Sequence, residues 1–155
     1  EGLHALNEKI ASNISDKQKC KVYCTALTTL KKRNGNKISS QRTRLIRRLI
    51  RDCKFRASSA HLTFKMWQDV EDAAKKYIYP YSDNADIVFN SSVLYEFGVY
   101  KKYVEDIMMS EKIIPKHQIF ADKILSVINN FDYIDPSVVP PTSIVREFIG
   151  GGSLV

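Results

Sequence analysis

Arginines recur at helical spacing within the stretch 42–56, which reads RTRLIRRLIRDCKFR. On a helix of 3.6 residues per turn, Arg44, Arg47, Arg48 and Arg51 fall at i, i+3, i+4 and i+7 and form a single stripe. The planar guanidinium group fits phosphate oxygens better than an ammonium group does. At about 1.5 Å per residue the stripe is roughly 10 Å long, which is comparable to a polyphosphate. The stripe therefore predicts binding of phosphate groups.

The opposite side of this helix is apolar and is expected to face a core. It consists of Leu45, Ile46, Leu49, Ile50 and Cys53. Like charges three or four residues apart repel by a few tenths of a kcal/mol for each pair, and the acids near the stripe are few. Such a helix is stable when something anionic lies along it. A solvated basic face with surface ion pairs is the alternative, which the near absence of lysine from the stripe disfavours.

Length and composition favour one globular domain with an anionic partner. At 155 residues the chain can bury a core, and 44% hydrophobic with 26% charged residues argues against disorder. A net charge of +7 favours a nucleotide, a nucleic acid or a membrane surface. No apolar run approaches the roughly 20 residues that cross a bilayer, and there is no secretory signal. The chain opens on Glu1 in a stretch typical of a domain interior, so we expect residues 1–155 to be a single domain or a domain fragment.

The cysteines and histidines predict neither a disulfide framework nor a metal site, because they are scattered and do not share metal-ligand spacing. They are Cys20, Cys24, Cys53, His4, His61 and His117. A reduced, cytoplasmic protein is the expectation from this cysteine usage.

The remaining segments predict an α/β protein in which strands are mixed with helices. Strands are expected at 20–27 and 85–90, and helices at 42–56, 94–109 and 118–131. A further helix is expected to begin after Ser58 or Ser59 and to end at Pro80. We also expect a helical turn within 1–10, a proline-rich break at 135–141 and a short amphipathic segment at 143–152. The core stripe of the helix before Pro80 is expected at Leu62, Met66, Val70, Ala73 and Tyr77, with Trp67 beside it.

Four common catalytic motifs are absent from the sequence. There is no GxxxxGK[ST] phosphate cradle, no nucleophile elbow, no HExxH and no CxxC. The acidic pairs Glu71–Asp72 and Glu105–Asp106 lie on amphipathic helices, where solvated surface is the favoured interpretation. The arginine stripe is therefore the strongest chemical signal in the chain.

Four segments resemble one known family, the uridine kinase and phosphoribulokinase group of P-loop kinases. RLIRRLIRD followed by Phe55-Arg56 resembles its arginine helix and lid, here 42–58. EGLHAL resembles the strand end before that helix, and YIYPYSDNADIVFNS resembles the segment after the lid. The terminal SIVREFIGG is similar to the divergent uridine kinase-like branch. The resemblance implies the C-terminal portion of a P-loop kinase-like parallel sheet with flanking helices, helix-rich towards its C-terminal end.

The resemblance also implies a function and roles for individual arginines. It implies ATP-dependent phosphoryl transfer to the hydroxyl of a nucleoside or similar small molecule. By the family pattern Arg48 would lie near the substrate and the transferring phosphoryl group, while Arg51 and the lid arginine Arg56 would face the ATP phosphates. Arg48 and Arg56 are thus the implied catalytic residues. Arg44, Arg47, Arg51 and Arg56 are the candidate nucleotide-binding residues, Arg44 and Arg47 by their place in the stripe.

Departures from the family pattern limit what the chain could do alone. The P-loop, the Mg²⁺ ligands and the catalytic base of that family precede the strand end that EGLHAL resembles, so we expect them in an N-terminal part outside this sequence. Ala57 stands where a glycine usually follows the lid arginine, and Ser58 stands where typical uridine kinases have a further arginine. The chain alone is therefore expected to be inactive.

Two alternatives remain open. The first is a nucleic-acid-binding module that lays the arginine helix on a phosphate backbone, which the shortness of the stripe disfavours. The second is a regulatory domain that keeps the kinase shape without activity. The phosphate acceptor and a homo-oligomeric state are left open.

Overall fold

The computed structural model describes residues 2, 4–10, 12–32 and 34–153 as a mixed α/β structure with a two-stranded parallel sheet. Its regular elements are β1 (Val22–Thr25), α1 (Ser40–Phe55), α2 (Ala60–Tyr77), β2 (Ile87–Asn90), α3 (Glu96–Ser110), α4 (Gln118–Ile128) and α5 (Arg146–Ile149). Short 3₁₀ helices occupy Asp16–Gln18, Tyr79–Asn84, Pro115–His117 and Pro136–Val138.

The arginine-rich helix α1 is the central element, because it packs against each of the other four α-helices. It begins after Ser39, whose side chain accepts a hydrogen bond from the Arg42 amide and so satisfies one of the unpaired donors of the first turn. The predicted apolar side is confirmed: Leu45, Ile46, Leu49 and Ile50 are buried, and Cys53 is partly buried against the same core. The helix is held in place from this side.

The two strands run parallel, and α1 and α2 both lie in the connection between them. At each end of the two paired strands, a side chain at or next to an end of β2 hydrogen-bonds to the backbone of the β1 segment. At the amino end Asp86 accepts a hydrogen bond from the Lys21 amide at 2.8 Å. At the carboxyl end the Asn90 side chain accepts from the Leu27 amide at 2.9 Å and donates to the Leu27 carbonyl at 3.0 Å. The carboxyl ends of both strands therefore open at one well-defined edge.

The sheet is exposed to an unusual degree. Ile87, Val88 and Phe89 are each more than half exposed, and successive residues of a strand point to opposite faces. Both faces of β2 are therefore open, whereas parallel strands are ordinarily covered on both faces.

We expect this open apolar strand to cause self-association of the isolated chain at high concentration, and Val88→Lys to suppress it. The substitution should change the free energy of unfolding by less than about 0.5 kcal/mol, because it removes no buried contact. Leu62→Lys is the matched control, since Leu62 is an exposed apolar residue on α2 rather than on the sheet. Sedimentation velocity checks this, and equal association of both variants would contradict it.

The predicted core stripe of α2 is correct only in part: Trp67 is buried and Val70 packs against the core, but the rest of the stripe is displaced around the helix. Leu62 and Met66 are exposed, while the buried positions are Ala60, Thr63, Phe64, Trp67, Glu71 and Ala74. The buried face includes two polar residues whose partners lie on α1. Prediction from hydrophobic periodicity assigns polar residues of this kind to the solvent-facing side of a helix, which explains the displacement.

The other boundaries differ by a few residues from the predicted ones. Leu94 precedes α3 and is exposed, Ile119 is exposed on α4, and α4 ends at Ile128 rather than Phe131. Residues 4–10 form turns and no helix; Glu1 and Leu3 of the same prediction lie outside the described residues.

Residues 56–59 make the short connection between α1 and α2. Here Ala57 has φ 47°, the left-handed region that glycine adopts without strain.

Two histidines that are distant in the sequence meet between α2 and the segment before α4. Nδ1 of His61 lies 3.1 Å from Nδ1 of His117, and Nε2 of His61 lies 3.0 Å from the Lys112 carbonyl oxygen. A shared Nδ1–Nδ1 hydrogen bond needs one ring to be an acceptor and hence neutral. Burial, His61 and Lys116 all lower the pKa of His117 from its ordinary 6.5.

The stability of the fold should therefore decrease as the pH falls below about 6.5. Between the unfolded pKa of His117 and its lower folded pKa, the unfolded state binds more protons, so stability rises with pH through this window. We expect His117→Gln to flatten the dependence, because glutamine does not titrate. Urea unfolding at pH 7.5 and at successively lower pH values measures it; an equal decline in both proteins would contradict this origin.

Candidate functional site

A hollow of about 370 Å³ lies at the carboxyl edge of the parallel strands, against the arginine stripe of α1. We call it the arginine hollow. Its lining residues are Tyr23, Cys24, Thr25, Ala26, Arg44, Arg47, Arg48, Arg51, Trp67, Val70, Ile78, Tyr79, Ser91 and Phe148. In parallel α/β sheets ligands bind at this edge. The hollow brings together all four arginines of the stripe, and none of its described lining residues is acidic.

The anions that stabilise the stripe belong to the protein itself. Each arginine of the stripe contacts a different carboxylate, at nitrogen–oxygen distances of 2.8–3.2 Å. The pairs are Arg44–Glu71, Arg47–Glu96, Arg48–Asp52 and Arg51–Glu147. These carboxylates do not line the arginine hollow, so its wall presents guanidinium groups and no acidic group among the described residues.

Arg47 is committed to the fold. Its Nε donates to Glu96 at 2.8 Å, its Nη1 to the Ser91 hydroxyl at 2.9 Å and its Nη2 to the Ser91 carbonyl at 2.7 Å. Glu96 is fully buried at the start of α3, where it also accepts from the Val93 amide. The hydroxyl of Tyr100 is buried beside this pair, and the pKa of Tyr100 is raised by burial and by Glu96. Arg47 therefore joins α1 to the end of β2 and to α3, which leaves it little capacity for a ligand.

Arg44 is also held in place, by contacts with α2 and the segment after it. One of its terminal nitrogens donates to Glu71 at 3.2 Å and to the Tyr79 hydroxyl at 2.7 Å. The guanidinium carbon lies 6.0 Å from the centre of the Trp67 ring. Burial is the largest influence on Tyr79 and raises its pKa, so the hydroxyl remains protonated at neutral pH.

Arg48 has hydrogen-bond donors that no described residue accepts from. Its Nε lies 3.1 Å from Oδ2 of Asp52 without hydrogen-bonding geometry, and its two terminal nitrogens make no hydrogen bond to the described residues. Asp52 is buried and also accepts from Thr63 and from Arg56. The carboxylate thus fixes the base of Arg48, while the end of the guanidinium group is free to bind an oxygen ligand at the hollow.

Arg51 and Arg56 lie further along the helix and meet a second hollow, which we call the glycine hollow. It is lined by Arg51, Phe55, Arg56, Arg146, Glu147 and residues 150–152. Arg51 lines both hollows; its Nη1 donates to Glu147 at 2.9 Å, and its Nε is buried without a hydrogen-bond partner in the described structure. Arg56 lines only the glycine hollow and donates to Asp52 at 3.1 Å. Arg56 therefore lies outside the arginine hollow that Arg44, Arg47 and Arg48 line, and it shares a hollow only with Arg51.

Sequence reasoning missed the three distant carboxylates that complete the site. Glu71 was expected on solvated surface, and this is wrong: it is 6% exposed and pairs with Arg44. Glu96 and Glu147 carried no local signal, since they lie 49 and 96 residues from their arginines.

No protein-family model, curated protein sequence or solved structure matches this chain.

Two further features bear on ligands and surroundings. The described residues contain no group of three or more His, Cys, Asp or Glu side chains placed to hold a metal ion. Within the same residues, no helix is both long enough and apolar enough to cross a bilayer.

Proposed function

We propose that the chain binds a nucleotide in the arginine hollow and forms the arginine-bearing part of an ATP-dependent phosphotransferase of the uridine kinase type. One observation carries the proposal: four guanidinium groups line one hollow at the carboxyl edge of a parallel sheet, without an acidic group among the described lining residues. Nucleotide phosphates are the ligand that guanidinium groups and this edge both favour.

The difference in hydrogen bonding among the four arginines supports a phosphate position near Arg48 and Arg51. Arg44 and Arg47 are fixed by other parts of the protein, whereas Arg48 has free terminal nitrogens and Arg51 an unpartnered Nε. In phosphoryl transfer the charge on the moving group must be neutralised, and an arginine contributes about 10³-fold or more. Arg48 and Arg51 are the residues that could do so here, and Arg56 would act from the glycine hollow.

The other walls of the arginine hollow support a ligand with an apolar ring system as well as phosphate. Tyr23, Val70, Ile78 and Phe148 contribute aromatic and aliphatic surface. The volume falls in the range of about 300–1,000 Å³ that is usual for small-molecule sites. ATP fits this donor set. Mg²⁺ does not fit the described residues, so its ligands are expected elsewhere in the protein.

The open sheet supports a further part of the proposal, that strands outside this sequence cover β2. The exposed apolar residues Ile87, Val88 and Phe89 are suited to such packing. An N-terminal part with a P-loop would supply both the strands and the phosphate cradle that this sequence lacks. The chain alone is therefore expected to bind nucleotide without turnover.

A nucleic-acid module is less well supported. The stripe lines a concave hollow of small-molecule size and its arginine side chains are only 8–33% exposed, whereas a backbone-binding helix presents its cations outwards.

Calorimetric titration with ATP, with adenosine and with a short DNA duplex at two salt concentrations tests the proposal. We expect ATP to bind one to one, adenosine to bind more weakly, and the duplex to leave ATP binding unchanged. Duplex binding with a steep salt dependence and no competition by ATP would favour the nucleic-acid module instead.

A further inference from the structure

The four carboxylates that pair with the arginine stripe differ in how firmly they are held. The side chains of Glu71, Asp52 and Glu96 are 8%, 6% and 0% exposed, whereas that of Glu147 is 39% exposed. A buried pair is costly to separate, whereas a partly exposed pair contributes much less to stability. The Arg51–Glu147 contact is therefore the one pair of the stripe that a ligand could break at small cost.

The position of Glu147 makes such an exchange possible without refolding. Its neighbours Phe148 and Ile149 are buried in the core, and Arg146 donates to the carbonyls of Pro136 and Val139. The backbone of α5 is thus fixed, while the Glu147 side chain is 39% exposed and lines the glycine hollow, so it can leave Arg51 without a change in the backbone.

The two hollows meet at Arg51. Glu147 contacts it from the glycine hollow, while the same guanidinium group lines the arginine hollow, where Glu147 does not. Arg56 lines the glycine hollow as well and offers a cation to a displaced carboxylate.

We propose that Glu147 is a resident carboxylate that competes with the ligand for Arg51, so that a phosphate group bound in the arginine hollow takes Arg51 over from it. Glu147 then sets the minimum charge of a tight ligand, since a polyphosphate displaces it more readily than a single phosphate. This inference rests on the proposed phosphate site and adds to it the residue that controls access to Arg51.

Titration of inorganic tripolyphosphate into wild type and Glu147→Gln tests the proposal. Glutamine keeps the shape of the side chain and removes the charge, so tripolyphosphate should bind about twofold to fivefold more tightly, as expected for loss of a competing, partly exposed ion pair. In an Arg51→Ala background Glu147→Gln should have no effect, because the group for which it competes is gone.

Asp106→Asn is the matched control for the general effect of removing one negative charge, since Asp106 is an exposed acid paired with Lys102 on α3. It should leave the affinity unchanged. Unchanged or weaker binding by Glu147→Gln, while Arg48→Ala still reduces affinity, would overturn the competition and leave the phosphate site standing. Absence of tripolyphosphate binding by both wild type and Glu147→Gln would overturn both.

Discussion

Replacing Glu96 with alanine is expected to lower the free energy of unfolding by about 3–5 kcal/mol, the cost of leaving one member of a buried ion pair without its partner. Glu96 is fully buried and accepts from Arg47 at 2.8 Å. Its removal would leave a guanidinium charge inside the protein, with Ser91 as its remaining hydrogen-bond partner. Urea denaturation followed by circular dichroism measures the change.

The matched control is Asp106→Ala, which breaks an ion pair on the same helix with both side chains more than half exposed. It should cost less than about 1 kcal/mol. A double variant, Arg47→Met with Glu96→Leu, should recover stability relative to Glu96→Ala, because it removes both charges together. A loss in Glu96→Ala no larger than in Asp106→Ala would show that the buried pair is not what joins α1 to α3.

Replacing Arg48 with alanine is expected to weaken the binding of ATP and of tripolyphosphate by about tenfold to a hundredfold. Hydrogen bonds to charged groups contribute about 1.5–3 kcal/mol, and each 1.4 kcal/mol is a factor of ten in affinity. Arg48 has two terminal nitrogens without hydrogen bonds to the described residues, at the wall of the arginine hollow. Calorimetry gives the affinities.

Arg42→Ala is the control for this loss, since Arg42 lies on the same helix outside the arginine hollow. It should change the affinity less than twofold. Arg48→Lys should fall between wild type and Arg48→Ala, because lysine keeps the charge but loses the planar fork. Equal affinities of Arg48→Ala and Arg42→Ala would place the anion elsewhere.

A helix could be predicted from the sequence where one of its faces is apolar and the other is charged. The apolar and arginine faces of α1 are distinct, so its bounds and its buried side followed from spacing. The buried face of α2 was predicted only in part, because Thr63 and Glu71 lie on it and bond to Asp52 and Arg44 of α1. A buried polar residue is stabilised by a hydrogen-bond or ion-pair partner. The sequence does not show which residue that partner is, because the pairing depends on how the helices pack.

The same limit applies to the candidate site. The arginine stripe and its arrangement along one helix were predictable from the spacing of the arginines. The pairing of every stripe arginine with a carboxylate was not, since three of the four partners are 27, 49 and 96 residues away. The contact between His61 and His117 also depends on packing and could not be predicted, because the two residues are far apart in the sequence.

A nucleotide site in the arginine hollow is tested most directly by the fluorescence of Trp67, which is the only tryptophan of the chain and lines this hollow. Titration with ATP should give a saturable change in its emission that tripolyphosphate competes away. The change should require higher ATP concentrations in Arg48→Ala and should be unaltered in Arg42→Ala. Emission that stays constant while calorimetry reports bound ATP, or that responds equally in Arg48→Ala, would contradict a nucleotide site in the arginine hollow.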